Sequence, residues 1–177
     1  MANAKIYAMN PGKTDQLVSW SAALVLVVVA IIMMCVDDIH ETWPAIVMLV
    51  LVEIGCVGYG LATSPQHIIV DGEGMGIRWR TGGRFVALSD IKSVEWYDKD
   101  PMRKPLVKST RTVGNGGMFG YTGRWYNREI GHFRIYARRL KGIVLVELAN
   151  GKKVIVSCDE PQALVDDLTS RIGLTSK

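Results

Sequence analysis

Cysteine and histidine are scarce, three of each in 177 residues, and they stand apart from one another. With no C-x-x-C and no Cys/His spacing of the zinc type, a disulfide framework and a zinc centre are both excluded from the reading. Cys35 and Cys56 fall in apolar runs and Cys158 in a strand-like stretch, so they read as reduced, buried thiols of a cytoplasm-facing protein. His40, His67 and His132 are scattered, and no Ser/His/Asp spacing or paired carboxylate accompanies them. The expectation is a protein that is not an enzyme, with no catalytic residue, no cofactor and no metal. No recognisable RNA- or DNA-binding module occurs, so nucleic acid is not an expected partner. An A-x-A-like cleavage site is also missing after the first apolar run, so that run is read as part of the mature protein.

Charge is the most telling absence. Residues 17–36 (LVSWSAALVLVVVAIIMMCV) carry none, and residues 43–62 (WPAIVMLVLVEIGCVGYGLA) carry only Glu53. At 1.5 Å per residue, each 20-residue run covers a hydrocarbon core of roughly 30 Å. Joined by the short polar loop DDIHET, they predict a two-helix transmembrane hairpin within residues 1–63. Trp20, Trp43 and Tyr59 fall near the ends of the runs, where aromatic side chains favour the bilayer interface. Pro44 suits a first helical turn. The inter-helix loop has Asp37, Asp38 and Glu41 but no Lys or Arg, whereas Lys5, Lys13, Arg78, Arg80 and Arg84 flank the hairpin. Basic segments stay inside, which predicts a multi-pass membrane protein with both termini cytoplasmic.

Residues 64–177 form a second unit of ordinary domain size. They hold 19 of the 21 basic and 12 of the 17 acidic residues, a net charge of +7 in a chain of +4. Short alternating runs at 67–70, 77–80, 84–88 and 91–97 predict antiparallel strands separated by turns. Residues 98–131 read as a long irregular stretch. Strong alternation returns at 132–139 (HFRIYARR), followed by 143–148 (IVLVEL) and 153–157 (KVIVS), the last two joined by an Asn-Gly turn. A C-terminal helix follows. Asp159 is its expected cap, Pro161 lies in its first turn, and Gln162 stands at capping-box spacing. Leu164, Val165, Leu168 and Ile172 form one apolar face, and Gly173 is the expected stop.

Seven strands and one amphipathic helix follow the order of a pleckstrin-homology-like barrel. The block LSDIKSV at 88–94 and the glycine-rich block GNGGMFGYTG at 114–123, ahead of the last strands, resemble the bacterial PH-domain proteins. The resemblance covers roughly residues 64–172. It implies a membrane-anchored α+β protein: an antiparallel β-barrel or sandwich, capped by the C-terminal helix and held on the cytoplasmic face. It implies little about activity. Phosphoinositide-binding PH domains carry a basic cluster around the loop joining their first two strands, whereas here that loop, DGEGMG at 71–76, is acidic.

Three features are candidates for function. Gly114, Gly116, Gly117, Gly120 and Gly123 form a glycine-rich loop, but it lacks the Gly-Lys-Ser/Thr ending of a phosphate-binding Walker loop. Its expected role is structural, with Phe119, Tyr121, Trp125 and Tyr126 anchoring it on the barrel. The basic stretch 99–111 carries Lys99, Arg103, Lys104, Lys108 and Arg111, a contact surface for anionic headgroups or an acidic protein partner. Glu53 is an intramembrane carboxylate, and such groups are functional candidates by default. Beside it, Gly55, Gly58 and Gly60 permit close helix approach, as in a homo-oligomer. The leading functional expectation is a protein-interaction or scaffold module at the membrane. Lipid-surface sensing through residues 99–111 and a small transport subunit using Glu53 are the alternatives.

Overall fold

The computed structural model describes residues 4–35, 39–99, 106 and 109–175. A short strand, β1 (Lys5–Ala8), comes first. Two long helices follow, α1 (Lys13–Cys35) and α2 (Ile39–Thr63), packed against each other. Their windows Asp15–Met33 and Trp43–Thr63 are long and apolar enough to cross a membrane. Only 11% and 6% of those windows is buried within the chain, so these are not core helices of the domain. Pro44 is not in a first turn, because α2 starts at Ile39, before Trp43.

Among the described residues, nine strands and a helix follow: β2 (Pro65–Val70), β3 (Gly74–Trp79), β4 (Gly82–Ala87), β5 (Ile91–Trp96), β6 (Thr110–Gly116), β7 (Tyr121–Asn127), β8 (Gly131–Ala137), β9 (Ile143–Leu148), β10 (Lys153–Ser157) and α3 (Pro161–Thr175). They make two sheets, one ordered β1-β2-β3-β4 and the other β5-β9-β10-β8-β7-β6. The sheets are not closed into a barrel, which corrects that part of the expected fold. The irregular stretch expected at 98–131 also gives way to structure, since β6 and β7 pair there as an antiparallel hairpin. Its glycines and polar residues hide the period-2 pattern on which strand recognition depends. One pairing is parallel, β8 with β10, because β9 and β10 form the Asn-Gly hairpin and β10 returns between β9 and β8.

β9 and β10 are apolar on both faces, and each face has its own core. Val144, Val146, Val154 and Val156 face the first sheet, meeting Ile68, Val70, Met75 and Ile77. On the opposite face Ile143 and Ile155 join Trp125, Phe133 and Ile135, covered by Tyr97, Leu106 and Ile130. Leu164 and Leu168 of α3 enter the first core, with Val165 and Ile172 partly buried beside them. The helix continues through Gly173 to Thr175, so that glycine is no stop. Nor does Asp159 stand at the cap: α3 starts at Pro161, the Glu160 carbonyl accepts from the Leu164 amide at 3.1 Å, and the Asp159 carboxylate lies 2.9 Å from Arg139 and accepts from Asn10 Nδ2 at 2.6 Å.

Residues 5–8, which carry no strand pattern, complete the first sheet. β1 pairs antiparallel with β2, Ile6 opposite Ile69 and Tyr7 opposite Ile68. Met9 is 1% exposed in the first core. Tyr7 donates its hydroxyl to Asp167 of α3 at 3.1 Å. Burial, reinforced by that bond and the Asp167 charge, pushes the Tyr7 hydroxyl up to about 12.

Candidate functional site: the junction of helices and domain

The glycine-rich block is the place where domain and helices meet. Gly114 in β6 and Gly123 in β7 face each other across the hairpin at φ +122° and +116°. A Cβ on Gly114 would collide with the Thr122 carbonyl, and one on Gly123 with the Val113 carbonyl. Gly116 also lies in β6, so only Gly117 and Gly120 belong to the turn proper. The Gly117 amide closes this turn on the Gly120 carbonyl at 3.0 Å.

The tip of the turn packs on α1. Ser19, 2% exposed, accepts the Phe119 amide at 3.0 Å. Its Oγ also lies 2.8 Å from the Asp15 carbonyl and 3.2 Å from the Gly117 carbonyl, either of which takes its one proton. Tyr121 donates to the Asp15 carboxylate at 3.1 Å. Burial, then the Asp15 charge, pushes the Tyr121 hydroxyl up to about 12. The Phe119 ring meets Trp20 edge-on at 5.3 Å. Ser64, directly after α2, donates to the Phe119 carbonyl at 2.6 Å. Phe119 has φ +59°, a conformation disfavoured for a bulky side chain. Hydrogen bonds to both of its peptide groups hold it there.

α2 completes the junction. A Cβ on Gly60 would sit 3.0 Å from the Phe119 ring and 3.3 Å from the Met118 carbonyl, so the absent side chain admits the turn. Thr81, between β3 and β4, donates to the Ala62 carbonyl at 3.1 Å. A small cavity of about 100 Å³ lies beside these contacts, lined by Asp15, Trp20, Leu61, Phe119 and Arg138. Burial lowers the Arg138 pKa, and the nearby Arg80 charge adds to this.

Among the described residues, the other predicted ones do not gather at one place. Lys99 follows β5, where its ammonium reaches Gln162 of α3 at 3.4 Å and lies 5.8 Å from the Trp96 ring centre. Arg111 is exposed in β6, beside Gly116 and Trp125. Arg103, Lys104 and Lys108 lie outside the described residues. Leu106, within the same stretch, is buried in the second core. Glu53 is half-buried and lines a groove of about 660 Å³ between α1 and α2 with Trp20, Leu24, Val27, Ile54 and Val57. A Cβ on Gly55 or Gly58 would meet nothing within 4 Å, whereas Gly60 is occupied by the domain. Of the expected aromatic anchors, Phe119 and Trp125 are buried, Tyr121 is half-buried, and Tyr126 is 41% exposed beside His132. Cys158 is buried, and burial pushes its thiol up to about 12; Cys35 and Cys56 are exposed on the helices.

Sequence reasoning missed Ser19, Asp15 and Gly60 as a set. A serine in an otherwise apolar helix facing a glycine-rich turn is the only signal the sequence offers, and it requires knowing that the two meet. No curated relative and no solved structure matches this chain. The family model for the bacterial PH domain matches residues 66–172, and the chain belongs to that family.

Proposed function

We propose that this protein is an integral inner-membrane interaction module. The hairpin of α1 and α2 inserts in the bilayer, and the PH-like domain is presented on the cytoplasmic face to a protein partner or a further copy of the chain. The observation that carries this reading is the pairing of β1, which precedes α1, with β2, which follows α2. A chain that leaves the domain, runs through two apolar helices and returns to the same sheet has both ends of its hairpin on one side. The acidic loop, without Lys or Arg, then lies on the other side, in agreement with the positive-inside rule. The bonds from Ser19, Ser64 and Tyr121 support a domain held in one orientation, as a docking platform requires. The module is read as a binder rather than an enzyme.

The test is residue accessibility in intact cells, in a background free of native cysteines. Asp38→Cys should react with a membrane-impermeant maleimide from outside, while Lys177→Cys should react only after permeabilisation. Photo-crosslinkers on the exposed faces of the domain should then capture a discrete membrane-associated species. Labelling of both positions from the same side, or release of the protein by alkaline carbonate, would sink the proposal.

A further inference from the structure

The open seam between the two sheets holds a cleft of about 520 Å³. One lip is β4, the free edge of the first sheet, which contributes Arg84. The other lip is formed by β7 and β8, which contribute Arg124 and Arg134, with Lys152 from the β9–β10 turn. Trp125 and Phe133 belong to the second core, so by strand alternation their neighbours Arg124 and Arg134 face the first sheet. These two arginines are direct cross-strand partners. Like charges placed opposite each other destabilise a sheet, and among the described residues no carboxylate lines the cleft to offset them. Among the described residues, none of these four side chains makes an ion pair or a side-chain hydrogen bond, and Arg84 Nε is buried with no acceptor. Lys153 also lines the cleft, but its ammonium is bound to the Ile130 carbonyl at 2.9 Å. Val113, Leu148 and Val154 supply apolar wall.

We infer that this seam is a binding site for a phosphate ester with an apolar body. Three guanidinium forks and an ammonium present more donors than a carboxylate can accept, whereas a phosphate offers three or more oxygens and bidentate pairing. The volume lies within the range of small-molecule sites, and the apolar wall sets the phosphate apart from a bare inorganic ion. None of the residues lining the cleft belongs to the acidic 71–76 loop or, among the described residues, to the stretch 99–111. Arg84 lies three residues beyond Thr81, and Arg124 three beyond Tyr121, the residues that touch α2 and α1. At about 3.3 Å per residue the Cα atoms of Arg84 and Arg124 stand roughly 10 Å along the strand from those contacts. A soluble phosphate ester and, if the hairpin is inserted, a phospholipid headgroup both fit this position.

The experiment uses the full chain and the variants Arg84→Gln and Arg134→Gln. In neutral detergent, calorimetric titration with phenyl phosphate should show saturable binding, at least tenfold weaker in either variant and weaker for inorganic phosphate. That result assigns a soluble ligand and does not depend on membrane insertion. In nanodiscs, a rise in unfolding midpoint on changing phosphatidylcholine to phosphatidic acid, lost in both variants, assigns a lipid headgroup. Both variants, without ligand and at low salt, should unfold at the same or a higher temperature than the parent, because Arg134→Gln removes the cross-strand like-charge pair and Arg84→Gln removes a buried donor that has no acceptor. A ligand effect equal in parent and variants would overturn the inference. So would the absence of any effect in both arms, or binding of polyglutamate without phenyl phosphate.

Discussion

At the scale of single residues, the informative positions are those where the backbone leaves no room. Gly114 and Gly123 have positive φ and lie against each other's strand, so any Cβ there strains the backbone and strikes a carbonyl. Gly131 also has positive φ (+80°), but a Cβ there would meet nothing within 4 Å. Gly114→Ala and Gly123→Ala should therefore each cost about 2–3 kcal/mol, strain and collision together. Gly131→Ala should cost about 1 kcal/mol, the conformational term alone. Chemical denaturation of the three variants measures the difference, and equal losses would show that the close approach across the hairpin carries no energy. The glycine block reads as structural in the sequence because the Walker lysine and hydroxyl are missing, and the close approach at Gly114 and Gly123 is what the structure adds. Its target was not legible, since nothing in a run of glycines names the surface it approaches.

At the scale of elements, β1 is the unexpected member. Four residues, one of them a buried tyrosine, give too short a period-2 signal to stand out from a tail. The strand is specified instead by what it meets: β2 along its length, Asp167 at Tyr7, and the first core at Met9. Met9→Ala should destabilise the domain by about 2–4 kcal/mol, the usual cost of truncating a buried methionine. Ile6→Ala, at a side chain 69% exposed, should cost at most about 0.5 kcal/mol. Denaturant titration followed by near-ultraviolet circular dichroism separates the two; two small losses would mean that the N-terminal segment does not belong to the core. By contrast, β8, β9, β10 and α3 were legible from alternation, the Asn-Gly turn and the helical stripe, because each signal is local.

At the scale of the whole molecule, the question is whether hairpin and domain move together. Phe119 is the hub, with its ring on Trp20 and Gly60 and its two peptide groups bonded to Ser19 and Ser64. Phe119→Ala keeps both backbone bonds available but removes the ring contact. Spin labels placed at Ala23 in α1 and Lys141 in the domain, in a background free of native cysteines, should give a narrow distance distribution in the parent. In the variant the distribution should broaden severalfold, with the domain's own unfolding midpoint little changed. An unchanged distribution would place the coupling in the serine bonds alone. The open seam belongs to the same scale: β4 ends the first sheet, β5 and β6 end the second, and the arginines of β4, β7 and β8 line the cleft left between the sheets.

By itself the sequence determined the two long apolar helices, the β-rich domain with its C-terminal helix, and the likeness to bacterial PH domains. Hydropathy, alternation and turn chemistry are properties of neighbours in the chain, and they survive without a fold. Only the tertiary structure decided that residues 5–8 complete a sheet with residues 65–70, and that the glycine-rich turn seats on Ser19 and Gly60. It also decided that Arg84 faces Arg124 and Arg134 across an unclosed seam. Each of these joins residues about 40 to 100 positions apart, and the pairing depends on shape, burial and charge that exist only once the sheets and helices have come together.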